Sequence, residues 1–166
     1  MTKKITCRTI DGKTIEVSSE ELTFRPSVYG VAIQDDKVLL VPQWDGYDFP
    51  GGGVDLGELL HETLVREVKE ETGLDAEPSR VLLVQDDFFF HPNKKKPFQT
   101  PLIYFLCTIT GGEISTEGFD GDEKNYAKKA EWVPLDKIDT LKFFNPIDSP
   151  KLVKDALWLK AQIKEI

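Results

Sequence analysis

The sequence predicts a layered α/β or α+β domain built on a mixed β-sheet, and three observations predict it. β-Rich runs stand on both sides of one amphipathic helix, and a second helix with an apolar stripe closes the chain. The 166 residues show no internal repeat and no linker, and their number is close to that of a single domain. Residues 1–166 are therefore read as one unit.

Taken in order, Thr6 to Ile10 and Thr14 to Val17 are β-rich runs joined by Asp11-Gly12, a good hairpin turn. Val28 to Ile33 and Lys37 to Val41 form a second pair, turning near Asp35-Asp36. Tyr47 to Phe49 lead into Pro50-Gly51-Gly52-Gly53, a cluster expected to be a loop where backbone approaches something closely. Glu58 to Thr72 carries helical spacing and ends at Gly73, a natural C-cap. Arg80 to Phe90 and Pro101 to Thr110 read as long strands, with the polar, proline-bounded run His91 to Thr100 between them as a loop. Thr110 to Lys129 is rich in glycine and acids and is expected to be loop in large part. Ala130 to Val133 is a short strand, followed by a helical turn at Leu135 to Ile138. Asp148-Ser149-Pro150 starts the last helix, whose stripe is Leu152, Val153, Ala156, Leu157 and Ile163.

Composition narrows the classes. Apolar residues make up 40% and charged residues 30%, a balance that suits a packed soluble chain. No apolar run approaches the roughly 20 residues that span a bilayer, and the basic N-terminus lacks the apolar stretch of an export signal. Cys7 and Cys107 form neither a CxxC pair nor a disulfide framework and read as small buried side chains, which points to a reducing, cytoplasmic setting. A net charge of −8 argues against binding to a nucleic-acid duplex. The same charge would repel an anionic substrate unless a bound divalent cation reverses it locally.

The segment Gly52 to Leu74 carries the chemistry. At roughly 100° per residue, with Glu58 as zero, Glu70, Glu67 and Glu71 fall near 120°, 180° and 220°. They stand on an edge beside the face of Leu60, Leu64 and Val68. Glu67 and Glu71 are like charges four residues apart, as are Glu58 and Glu62, and each such pair costs a few tenths of a kcal/mol on a bare helix. Lys69 is not at the i+4 position of any of these acids. A concentrated patch of hard oxygen ligands suits Mg²⁺ or Mn²⁺. The preceding glycines are not a Walker A loop, because no GxxxxGK[ST] follows.

Gly52, five residues, Glu58, seven residues, then Arg66-Glu67-Val68-Lys69-Glu70-Glu71-Thr72-Gly73-Leu74 resembles the Nudix box, Gx5Ex7REUxEExGU with U aliphatic, at every position. The Phe49-Pro50-Gly51-Gly52 entry and the Glu131 to Leu135 run after an acidic loop are also similar to that family, so the likeness extends over about Ser27 to Ile138. The resemblance implies an α/β/α sandwich with a mixed sheet, here with an N-terminal hairpin and a C-terminal helix outside the motif. It implies metal-dependent hydrolysis of a nucleoside diphosphate linked to another group. It further implies Glu67, Glu70 and Glu71 as direct metal ligands, the Gly51 carbonyl as another, and Glu58 holding a water of the metal or standing one layer behind it. Arg66 would orient a glutamate. The general base would be a box glutamate, Glu67 or Glu70, or an acid of the later loop, Glu117, Asp120, Asp122 or Glu123, with Glu123 favoured among these.

Substrate contacts are less marked. Trp44 and Tyr47 are candidates to stack on a base or else pack partly buried. Arg25 is a candidate phosphate contact. Lys94 to Lys96 and His91 read as a solvated loop, His61 as structural, and of Phe88 to Phe90 not all can share one strand face. The partner expected is a small phosphorylated substrate, with no membrane, and a homodimer is left open. Two other readings remain: a Nudix-fold sensor that binds such a ligand without cutting it, and an isomerase of a prenyl diphosphate. The first usually loses box glutamates, and the second would want a reactive cysteine in the pocket.

Overall fold

A computed structural model describes residues 2–119, 121, 124 and 127–163. The sheet runs in the order β10-β5-β4-β9-β8-β1-β2, with β3, β6 and β7 attached to β9, β5 and β4. The strands are β1 (Lys4–Arg8), β2 (Thr14–Ser18), β3 (Thr23–Phe24), β4 (Ser27–Gln34), β5 (Lys37–Gln43), β6 (Gly46–Asp48), β7 (Gly51–Gly53), β8 (Leu74–His91), β9 (Lys96–Gly112) and β10 (Glu131–Pro134). The helices are α1 (Leu60–Thr72) and α2 (Ser149–Ile163), and a 3₁₀ turn covers Leu135–Thr140. Pairing is mixed: β4 runs parallel to β9, and β8 antiparallel to β9.

Strand alternation decides which helix each face receives. On β4, Val31 and Ile33 join Leu102, Tyr104 and Leu106 of β9 under Leu152, Val153 and Ala156 of α2. On the opposite face, Val28 and Phe105 lie under Leu64 and Val68 of α1. The layers are therefore helix, sheet, helix, as the resemblance implied. Leu157 and Ile163, expected in the α2 stripe, are exposed; the fully buried positions end at Ala156, and Leu159 continues the contact half-buried. Asp148 accepts the Lys151 N–H at 2.9 Å and caps it.

Four expectations are corrected. The Gly51–Gly53 run is a strand, not a loop. β5 pairs with β4 only at Ile33–Gln34 and then splays away, and β7 takes the vacated edge of β4 at Ser27, Val28 and Tyr29. Helix α1 begins at Leu60 rather than Glu58, because Gly57 sits at φ 97° and the Glu62 carboxylate accepts the Leu59 N–H at 2.9 Å. Strand β8 starts at Leu74, not Arg80, and runs past Pro78 with irregularities in register. Lys96 to Thr100 is strand rather than loop, since it continues the β8–β9 ladder opposite Asp87 to His91.

Candidate active site

The C-terminal half of α1, strand β7 and the rim of the sheet enclose a cleft of about 310 Å³. Helical spacing turns Glu67 and Glu71 toward the sheet, where they are 7% and 4% exposed, and leaves Glu70 half-buried. All three line the cleft with Gly51, Gly52 and Gly53.

At Gly51 only glycine fits, since a Cβ there would fall 2.0 Å from the Val28 carbonyl oxygen. A Cβ on Gly52 would fall 2.6 Å from the Glu67 carboxyl carbon, and one on Gly53 would overlap the Arg25 guanidinium. Strand β7 therefore lies directly against the Glu67 carboxylate and the Arg25 guanidinium, closer than a strand bearing side chains would allow without those groups shifting. The Gly51 N–H donates to Glu71 Oε2 at 2.8 Å, fixing the last of the three acids to the strand.

Arg66 gathers the others. Its Nε and Nη2 donate to the two oxygens of Glu58 at 2.7 and 2.8 Å, a bidentate fork. Its Nη1 donates to Glu67 Oε1 at 2.9 Å and Glu70 Oε2 at 3.2 Å. The Arg66 hydrogen bonds, followed by that of Thr63, hold the Glu58 carboxyl down at about 2. The Glu58 hydrogen bonds in turn raise the Arg66 guanidinium, so it stays charged.

Among the described residues, no three His, Cys, Asp or Glu side chains converge closely enough to hold a metal ion as they stand. Their oxygens are engaged elsewhere: Nη1 of Arg66 donates to both Glu67 and Glu70, and the Gly51 amide donates to Glu71. The donors nevertheless fit a hard divalent cation in kind, being carboxylate oxygens, two sets of them buried, beside the carbonyls of a glycine strand. Holding one would require those carboxylates to turn from their present hydrogen bonds.

Of the other sequence candidates, Trp44 and Arg25 line the cleft, and Trp44 meets Phe144 edge-on at 5.2 Å. Tyr47 does not: its hydroxyl donates to Glu131 Oε1 at 2.8 Å and its ring packs on the α2 side of the sheet. His91 and Lys94 line the cleft although their run read as solvated, whereas His61 is exposed on α1. Glu117 is exposed. Asp120, Asp122 and Glu123 lie outside the described residues. Both cysteines are buried, and burial pushes the Cys107 thiol up to about 12, which makes it a poor nucleophile.

Sequence reading missed the far end of the cleft. There Arg8 of β1 grips Asp87 of β8 through Nε and Nη2 at 2.7 to 3.0 Å, and its guanidinium carbon lies 4.5 Å from the Phe89 ring centroid. Arg8 also donates to the Phe144 carbonyl at 3.1 Å and to Asn145 Oδ1 at 3.4 Å. Asn145 Nδ2 donates to Asp48 Oδ1 at 3.2 Å. Burial raises the Asp48 carboxyl to about 7. The Tyr104 hydroxyl, close to Asn145, is buried without a hydrogen bond of acceptable geometry. The only trace of this cluster in the sequence is an acid inside the short apolar run Tyr47 to Phe49.

A family model described as NUDIX domain matches residues 23–155. A curated relative, the ADP-ribose pyrophosphatase of Methanocaldococcus jannaschii, is 32% identical across 78% of this chain and 70% of its own length. A putative ADP-ribose pyrophosphatase of Bacillus subtilis is 32% identical across 72% of this chain, which spans 54% of that relative. The crystal structure of an ADP-ribose pyrophosphatase from Streptococcus suis superposes with a TM-score of 0.62 at 26% identity, covering 83% of this chain and 92% of that one. The hairpin of β1 and β2 precedes the matched region.

Proposed function

The chain belongs to the NUDIX domain family, and from that premise we propose that it is a hydrolase of phosphoanhydride bonds in a nucleoside diphosphate joined to another group, with ADP-ribose the first substrate to try. We read it as one domain over residues 1–166 acting in the cytoplasm; no described helix is long and apolar enough to cross a membrane. The observation that carries the reading is that Gly52, Arg66, Glu67, Glu70 and Glu71 of a complete box line one cleft together.

In this reading Glu67, Glu70, Glu71 and the Gly51 carbonyl would hold Mg²⁺ or Mn²⁺. Such a cation neutralises charge on the diphosphate oxygens and lowers the pKa of water. Glu67 or Glu70 takes the proton of the attacking water. Arg66 keeps the acids in place, with Glu58 as its anchor, and Glu58 also serves a water of the metal. Arg25, packed against Gly53, faces the phosphates. Glu123 remains the loop acid assigned to an extra ligand or base.

The test is hydrolysis of ADP-ribose, nucleotide sugars, nucleoside triphosphates and dinucleoside polyphosphates, with products identified by mass. Turnover is expected with Mg²⁺ and not with EDTA. Glu70→Gln is expected to lose about a thousandfold or more in kcat with folding intact, the scale on which losing a transition-state group is felt. Full activity in that variant rejects the site. Tight ligand binding without any turnover favours the sensor.

A further inference from the structure

Arg8, Arg25, Arg66 and Lys94 all line the cleft. Two of them are committed to carboxylates, Arg8 to Asp87 and Arg66 to Glu58, Glu67 and Glu70. Arg25 and Lys94 make no ion pair with any of the described residues. In a chain of net charge −8, two uncommitted cations on one cavity are the groups that an anion would meet first. They cannot serve the same diphosphate. Arg25 packs against Gly53. Ser27 pairs with Gly53 on one side and with Leu102 of β9 on the other, so the glycine strand stands level with Leu102. Strand β9 begins six residue steps earlier, at Lys96. At about 3.3 Å per step, the tip of the β8–β9 hairpin is roughly 20 Å away along the strand. The two phosphorus atoms of a diphosphate share one bridging oxygen, which leaves the tip beyond their reach.

The tip is built to present one lysine of three. Lys94, Lys95 and Lys96 are consecutive and exposed, and of these Lys94 lines the cleft. Lys95 adopts φ 48°, a left-handed turn conformation, and returns the chain to β9 with Lys96 opposite His91. The Lys94 N–H donates to His91 Nδ1 at 3.3 Å. The His91 ring in turn stands edge-on to Phe89 and Phe98, with centroids 6.0 and 6.3 Å away. Pro92 and Pro97 bracket the turn and restrict its backbone further. The turn is thus fixed before any ligand arrives, which lowers the entropy lost on binding there.

We propose that Lys94 at the β8–β9 tip holds a second phosphate of the substrate, remote from the diphosphate that is cut. That group is either a phosphate ester on the far end of the nucleotide or the distal part of a longer polyphosphate chain. The substrate class rests on the nucleotide-hydrolase reading, but the site is tested without turnover. Binding is measured calorimetrically in EDTA, where the box acids repel phosphate instead of gathering it through a cation. Two pairs of ligands are compared: ADP-ribose with ADP-ribose 2′-phosphate, and diadenosine diphosphate with diadenosine tetraphosphate. In at least one pair the ligand with the additional phosphate is expected to bind about tenfold or more tighter, the scale of one hydrogen bond between charged groups. A preference in the first pair identifies the ester, and one in the second the chain. Lys94→Gln is expected to bring that ratio close to one. Lys95→Asn removes the same charge from the same turn and suits a left-handed conformation, and it is expected to keep the ratio. Equal losses in the two variants would reduce the effect to the general field of the tip and overturn the assignment. So would a ratio that survives Lys94→Gln, a wild type without preference in either pair, or one that saturates with none of the four ligands. A Glu70→Gln enzyme that retains full turnover while the ratio behaves as expected would sink the hydrolase site and leave the Lys94 site standing.

Discussion

Replacing Asp48 by Asn should change how stability depends on pH. Asp48 is 5% exposed. Burial is the largest influence on its carboxyl and raises it from 3.8 to about 7, against the hydrogen bond from the Phe49 N–H and the charge of Arg8, which pull it down. In the unfolded chain the same group titrates at its ordinary value. Between the two values the folded protein holds a proton that the unfolded chain has released. Its contribution is therefore full below the unfolded value and is lost as pH rises through about 7. Each pH unit in that window removes about 1.4 kcal/mol, so the whole window is worth about 4 kcal/mol at most, against a total stability of about 5–15. Asparagine has the same shape and nearly the same hydrogen-bonding capacity as the protonated acid, and it does not titrate. Urea unfolding in EDTA at about pH 5 and about pH 8 reads the effect, because other groups cancel between wild type and variant. The stability of Asp48→Asn relative to wild type is expected to rise by about 3 kcal/mol from the lower to the higher pH. Parallel curves would mean that Asp48 ionises normally and that the floor of the cleft is wet.

Gly52→Ala would set a methyl 2.6 Å from the Glu67 carboxyl carbon. Its kcat is expected to fall about tenfold or more while circular dichroism stays that of the wild type, since displacing a reacting group by even about an ångström is costly; unchanged kcat would show that Glu67 can move freely. Arg66→Met removes the fork that holds Glu58 at about 2 and should return that carboxyl toward 4.5, followed by carbon-detected NMR titration. The sign follows from the lowered value: in the wild type the pair stabilises above about pH 4.5 and is lost as pH falls through about 2. A Glu58 titration that ignores Arg66→Met would dissolve the account of the fork.

The sequence displays the catalytic helix well because its information is local. Glu67, Glu70 and Glu71 stand at fixed angles to Leu64 and Val68, so the face that packs on the sheet also aims the acids. The glycine run was legible as a place of close approach but not as a strand. Its pairing partner is the stretch of β4 that β5 abandons, and nothing near Gly52 announces that. The strand bounds of β8 and β9 were hidden by Pro78 and the lysine-rich turn, both of which a long two-stranded ladder can absorb at bulges and at its tip. Arg8, Asp87 and Asn145 were invisible for a different reason. Each is an ordinary polar residue in its own neighbourhood, and only the sheet order brings β1 beside β8. Tyr47 stayed open between stacking and packing because an aromatic residue just before a glycine cluster faces the cleft or the core according to strand parity, and here Asp48 took the cleft side.

The hairpin of β1 and β2 hangs on the rim of the sheet, one strand pair wide, and joins it at β8, the strand that also packs against α1. The hairpin's outer strand, β2, is paired to β1 and is free to drift in length and composition. Descent can lengthen or trim that outer edge while the inner strand stays pinned to β8 by the Arg8–Asp87 pair.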